Sequence, residues 1–187
     1  VDRAASAGAA LAGGTVRLTS GKLLGVEVVP PMLRNLRRSH PSLAIELSVS
    51  NRLQALARQE ADVAVRIRRP TDASVVTRKV GDLQIGLYAA PELLAEQGMP
   101  DTLEHLRDYP VIGPDRNLLE NGVLREQGFD CGPERSSVRT DDYLAQLAAS
   151  RAGLGGVGGP HQLAHRHGLV RALSGQAGLC VDLWTAS

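Results

Sequence analysis

The chain has 187 residues, 43% of them hydrophobic, enough to bury one large core or two small ones without cross-links. Lysine and arginine total 21 against 20 acidic residues and aromatics are 3%, which excludes a global electrostatic footprint for nucleic acid and a base-stacking platform. Cys131 and Cys180 stand far apart and outside any C-x-x-C spacing, so the expectation is a reducing cytoplasm, with neither disulfides nor a structural zinc. No run approaches the roughly 20 apolar residues of a membrane span, and Val1 to Gly14 lacks the basic start and apolar core of a secretory signal, so no membrane association is expected.

The run Gly14 to Ser20 alternates and carries β-branched residues, which predicts a strand; Gly21 then leads into a helix opening near Leu24. Within it Val29, Met32, Leu33 and Leu36 recur at helical spacing, with Arg34, Arg37 and Arg38 on the solvated side, until Ser39-His40-Pro41 stops it. Leu43, Ile45, Leu47 and Val49 share one face of a second strand, and Asn51 is positioned to cap a short helix through Arg58. A third alternating strand covers Ala61 to Ile67 and ends in the loop Arg68 to Asp72. The order β-α-β-α-β implies parallel pairing with right-handed crossovers.

The pattern then restarts. Val75 to Val80 and Leu83 to Ala89 read as strands with Gly81-Asp82 as the turn between them, and Pro91 opens a helix that Gly98 closes. Asp101-Thr-Leu-Glu104 has the spacing of a helix start, and a short helix is expected to Arg107. Tyr109 to Ile112 is a brief apolar strand, Leu118 to Gln127 a helix, and Arg135 to Thr140 a strand. Thr140 or Asp141 should cap a helix through Ala152, and Leu169 to Leu173 and Val181 to Trp184 are further extended pieces.

Several motifs carry chemistry elsewhere and fail here. Gly153 to Gly158 matches G-x-G-x-x-G, but a dinucleotide loop follows a strand and opens a helix, whereas this one follows a helix. Thr19-Ser-Gly-Lys22 lacks the upstream glycine of a phosphate loop and has Leu23 where a hydroxyl is required. His161, His165 and His167 include an i, i+4 pair without a neighbouring cysteine or carboxylate, so no metal site and no cofactor are expected. No nucleophile has an identifiable base, and catalysis is not expected.

The stretches Gly14-Thr-Val-Arg-Leu-Thr, Val29-Pro-Pro-Met-Leu, Arg38-Ser-His-Pro-Ser-Leu, Glu60-Ala-Asp-Val-Ala-Val-Arg66, Leu87-Tyr-Ala-Ala-Pro91 and Gly98-Met-Pro100 occur in an informative order. Each alone is ordinary strand-and-helix vocabulary, but in this order and spacing they resemble the effector-binding domain of LysR-type transcription regulators across almost the whole chain. The resemblance implies an α/β, two-lobed periplasmic-binding-protein-like fold, each lobe a mostly parallel sheet flanked by helices, joined by a hinge. On that likeness residues 1–13 are the end of a linker helix, 14–83 with 181–187 form the first lobe, and 84–180 form the second. Two departures stand out: the chain stops where family members continue into a closing helix, and the strand after the long second-lobe helix is the glycine-rich Gly153 to Pro160, expected to be loose or close to a ligand.

The implied function is to sense a small-molecule effector in the cleft between lobes and to mediate assembly as a homodimer or tetramer. DNA would be reached only through an N-terminal helix-turn-helix domain not expected within these residues. In open parallel sheets ligands bind beyond the carboxyl ends of strands, which here selects Thr19, Ser20 and Gly21 after the first strand and Ser50 and Asn51 after the second. Gly113, Pro114 and Asp115 occupy the corresponding position in the second lobe. Helix N-termini gathered there would favour an anion, with Lys22 and Arg66 as possible added charge, although Arg66 also reads as a salt-bridge partner at the core edge and Asp62 as structural. Dimerisation is expected through the helix of about Val26 to Arg38 and the strand Leu43 to Val49. The competing reading is a solute-binding protein of a transport system, which shares this plan.

Overall fold

The computed structural model describes residues 14–51, 61–67, 69–70, 74–116, 134–173 and 178–187. The expected linker helix over 1–13 and the expected helices after Asn51 and over 118–127 lie outside them. The chain divides into two units, one of residues up to Asp82 together with Asp182–Ser187, the other of Leu83–Val181.

In the first unit the alternating run after Gly14 forms β1 (Thr15–Ser20), flanked by β2 (Ala44–Val49) and β3 (Val63–Arg66). Both neighbours run parallel to β1, with Leu18 beside Leu47 on one side and Val63 on the other, the arrangement that helical crossovers require. The sheet continues through β9 (Leu179–Ala186), antiparallel to β3, and the first part of β4 (Thr77–Ala89), where Lys79 Nζ meets Asp182 Oδ1 at 2.6 Å.

The helical stretch after Gly21 is two helices, not one: α1 (Lys22–Glu27) and α2 (Val29–Ser39), broken at Val28. Pro30 and Pro31 carry no N–H, so the carbonyls of Val26 and Glu27 lose the donors a continuous helix would bring them. The prolines sit instead in the first turn of α2, where no such donor is required. Gly25 lets α1 close on the sheet, since a Cβ there would stand 2.8 Å from Val49 Cγ2. The apolar stripe of α2 is only partly covered. Val29 is buried and Leu33 half-buried, whereas Met32 is 60% and Leu36 39% exposed; Arg34, Arg37 and Arg38 are solvated.

The turn expected at Gly81-Asp82 does not form, because the two expected strands are the single strand β4. A Gly-Asp pair makes a hairpin only when its flanks pair with each other. Here the first flank lies beside β9, and the second pairs with β7 (Gly156–Pro160) and β8 (Val170–Ala172). The sheet of the second unit runs β8, β4, β7, then β5 (Val111–Gly113) and β6 (Ser136–Arg139), with β7, β5 and β6 mutually parallel.

Around this sheet pack α3 (Pro91–Gln97), a 3-10 turn (His105–Asp108), α4 (Tyr143–Arg151) and α5 (His161–Arg166). Tyr88, Leu93, Leu106, Leu147 and Val157 form the centre of one buried cluster, each large apolar side chain contributing about 1.5–3 kcal/mol. Gly98 (φ +84°) and Gly153 (φ +78°) follow α3 and α4 in the left-handed region, where a side chain would be strained. The helix expected from Asp101 contracts to the 3-10 turn: Thr102 Oγ1 accepts from His105 N at 3.2 Å, and the Asp101 carboxylate is drawn to His105 Nδ1 at 2.6 Å.

The cap of α4 is neither Thr140 nor Asp141 but Asp142, whose Oδ1 accepts from Leu144 N at 3.0 Å. Asp141 is committed elsewhere, to the loop after β5. The glycine-rich segment is an ordered, mostly buried strand rather than a loose one, and what approaches it is protein. A Cβ on Gly159 would coincide with the Tyr143 hydroxyl, and one on Gly155 would stand 2.9 Å from Pro110 O. Among the described residues no helix is long and apolar enough to cross a membrane.

Candidate functional site

Three parallel strands of the first unit end together, and the residues at their carboxyl ends are tied by hydrogen bonds. Thr19 and Ser20 close β1 fully buried, at 1% and 0% exposure. Ser50 N donates to Ser20 O at 2.8 Å, and Lys22 N donates to Asn51 Oδ1 at 2.9 Å, so the loops after β1 and β2 hold each other. Gly21 lies between them with φ −62°, which any residue adopts, and a Cβ there would meet Asn51 Oδ1 at an ordinary 3.5 Å. Arg66 closes β3 at 6% exposure: Nη2 donates to Thr19 Oγ1 at 3.1 Å and Nη1 to Val65 O at 3.0 Å. Thr19, Ser20, Gly21, Ser50, Asn51 and Arg66 therefore gather at one end of one sheet.

The electrostatics of this end differ from the sequence-based picture. α1 has only six residues and its first N–H is already taken by Asn51, so a helix terminus supplies little positive field. Of the two cations named for this end, Arg66 is buried and Lys22 half-buried. No carboxylate pairs with Arg66 among the described residues; Asp62, read from the sequence as structural, accepts from Arg17 N at 2.8 Å. Burial pushes the guanidinium pKa down from its ordinary value, without displacing the group from its cationic form. A buried charge lacking its counter-charge is destabilising by several kcal/mol. The Ser20 hydroxyl, which follows Thr19 in β1 and so lies on the opposite face of the sheet towards Gly25 of α1, is also buried with no hydrogen-bond partner among the described residues.

In the second unit Gly113, Pro114 and Asp115 are held to the connection between β6 and α4. Gly113 O accepts from Thr140 N at 3.0 Å, and Asp141 Oδ1 accepts from both Asp115 N and Arg116 N at 2.9 Å. The Asp115 carboxylate lies 3.4 Å from Arg116 Nε and 3.9 Å from Arg139 Nη1. These two backbone N–H groups are occupied by a protein carboxylate, which removes them as donors to an external anion.

The sequence reading missed the contact between Arg66 and Thr19, for which strand parity alone gives no signal. It also missed the Tyr88 hydroxyl, which lies 3.2 Å from His161 Nδ1 across the sheet of the second unit. The ring centres of His161 and His165 are 6.4 Å apart, and among the described residues no grouping of three or more His, Cys, Asp or Glu side chains could hold a metal ion.

Comparison with known proteins gives one consistent answer. Residues 9–186 match the family model of the LysR substrate binding domain. An HTH-type transcriptional repressor of Pseudomonas aeruginosa is 30% identical over 142 residues, covering 73% of this chain and 44% of that protein. The Mau operon transcriptional activator of Paracoccus denitrificans is 31% identical over 137 residues, 69% of this chain and 48% of that one. The chain thus spans about half the length of these relatives.

Among solved structures, the regulatory domain of CrgA, a LysR-type transcriptional regulator from Neisseria meningitidis, superposes with a TM-score of 0.79 at 20% identity, covering 93% of this chain and 88% of that one. The full-length Vibrio cholerae virulence activator AphB gives 0.73 at 25% identity over 94% of this chain and 62% of that one. The fold is the periplasmic-binding-protein-like fold of those regulatory domains, α/β with mostly parallel sheets. The relatives are transcription regulators rather than transport proteins, and the family is one of regulator domains rather than an enzyme class. Sheet order, the gathered strand ends and a family match running nearly end to end converge, and the chain belongs to the LysR substrate-binding domain family.

Proposed function

We propose that this domain senses a small anionic effector bound at the carboxyl ends of β1, β2 and β3, with Thr19, Ser20, Gly21, Ser50, Asn51 and Arg66 as the contacting residues. The observation that carries this reading is the Ser20 hydroxyl, buried at the end of β1 with no partner among the described residues, in a place where open parallel sheets receive ligands. Gly113, Pro114 and Asp115 form a second set of candidate contacts, acting through side chains and carbonyls rather than through the N–H groups that Asp141 occupies. A ligand acts by its differential affinity for two conformations, and the resulting shift would be passed to an N-terminal helix-turn-helix domain in the whole regulator. Cytoplasmic residence follows, because promoter DNA is there.

A thermal-shift screen of metabolites tests the reading, since a ligand at 100 times its Kd adds about 2.7 kcal/mol to stability. Ser20→Ala should weaken the hit by at least a factor of about five, the value of one buried hydrogen bond. Unchanged affinity within a factor of two refutes the assignment of this loop. We also assign the partly covered face of α2, with Met32 and Leu36, and the neighbouring β2 to a homodimer contact. Sedimentation should show a dimer at micromolar concentration, and a monomer at high micromolar concentration removes that assignment.

A further inference from the structure

The structure assigns Arg66 as the charge-reading residue of this site, and with it the chemical class of the effector: a monocarboxylate, whose single negative charge is the missing counter-charge of the buried guanidinium. This rests on the effector-sensing reading given above and makes it specific.

Two observations support the assignment. Arg66 is the only charged side chain in the buried set of the described residues, so one positive charge is available for compensation. Of the five donors a guanidinium carries, Thr19 Oγ1 and Val65 O occupy two. The remainder have no partner among the described residues, and guanidinium N–H pairs match the two oxygens of a carboxylate.

The charge count separates carboxylate from phosphate. A phosphate dianion would bring one charge more than Arg66, the one buried cation among the described residues, neutralises, the other cation at this end being the half-buried Lys22; an excess buried charge is strongly unfavourable. The same count distinguishes a ligand-reading arginine from a structural one. A structural arginine stabilises the empty protein through a paired carboxylate, whereas this guanidinium is uncompensated until a ligand arrives. Thr19 then acts as a positioning residue, since its hydroxyl fixes one arm of the fork.

The test uses the 187-residue chain with acetate, propionate and butyrate, the matching amides acetamide, propionamide and butyramide, and inorganic phosphate, all at equal ionic strength. At least one carboxylate should raise Tm by several degrees while its amide and phosphate do not. The Arg66 Nε–H resonance of the unmutated chain should move with the same carboxylate and stay still with the amide. Arg66→Gln should weaken that carboxylate on the order of a hundredfold, and Arg66→Met should melt, without ligand, no lower than the parent.

An amide that stabilises as well as its acid, or an Arg66→Gln chain that keeps the carboxylate response, overturns the proposal. So does a flat response to every carboxylate. If an uncharged or cationic metabolite from the wider screen binds instead and is lost with Ser20→Ala, the effector-sensing reading stands and the carboxylate assignment falls. If nothing in that screen binds, both fall together.

Discussion

Replacing Gly159 by alanine is the sharpest test of why β7 has a glycine at this position. A Cβ at this position would coincide with the Tyr143 hydroxyl and stand 2.6 Å from Cζ and 3.1 Å from Cε2 of the same ring. The strand cannot yield, because β7 is paired on both sides, Gly159 to Gly86 of β4 and Val157 to Ile112 of β5. The ring must therefore leave its place, and it belongs to the first residue of α4, packed against the buried cluster. Overpacking of this kind destabilises by about 1–3 kcal/mol. At roughly 2–4 °C per kcal/mol for a chain of this size, Gly159→Ala should lower Tm by about 4–8 °C for a loss of ~2 kcal/mol.

Thermal melting with Tyr143→Ala alone and with both substitutions completes the cycle. The double variant should be more stable than the sum of the singles predicts, by about 1–3 kcal/mol, since removing the ring abolishes the clash. Gly81→Ala is the control: nothing lies within 4 Å of its Cβ position, and it should be neutral or stabilise by up to about 1 kcal/mol. A Gly159→Ala chain that melts within 1 °C of the parent, or strict additivity with Tyr143→Ala, would show that steric exclusion by Tyr143 is not the reason for the glycine.

Asp142→Ala should destabilise by about 1 kcal/mol through loss of the α4 cap, measured by urea unfolding, whereas Asp141→Ala should chiefly speed amide exchange at Asp115 and Arg116, whose N–H groups it frees. Met32→Glu should leave Tm of the monomer nearly unchanged yet shift the sedimentation equilibrium towards monomer, because Met32 is already 60% exposed. Burial raises the Tyr109 pKa above its ordinary 10.0, and its hydroxyl donates to the carbonyl oxygens of Leu93 and Gly98. A raised folded pKa contributes stability that is complete below the unfolded value and lost as pH rises through the folded one. Stability should therefore fall above about pH 10, and Tyr109→Phe should flatten part of that fall; an unchanged alkaline limb in the variant refutes the assignment.

Local pattern was enough wherever a residue's fate depends on its own neighbours in sequence. Alternation located β1 and β2, Pro91 and Gly98 bounded α3, and the βαβ order implied the parallel pairing of β1 with β2 and β3. The strand-end residues Thr19 and Ser20 and the following Ser50 and Asn51 were legible for the same reason, since strand ends follow from strand periods. Tertiary structure decided whatever depends on which partner a segment finds. Gly81-Asp82 is a turn only if its flanks pair with each other, and they pair with other strands. Asp141 is a cap only if no better donor reaches it, and two backbone N–H groups do. Gly159 of β7 reads as looseness until the ring of Tyr143, sixteen positions upstream, is seen to need its space. Arg66 shows the limit most clearly. Its strand position was readable, but a guanidinium is structural or functional according to whether a carboxylate lies within reach, and only the folded chain, which brings Thr19 and no acidic partner among the described residues, decides that.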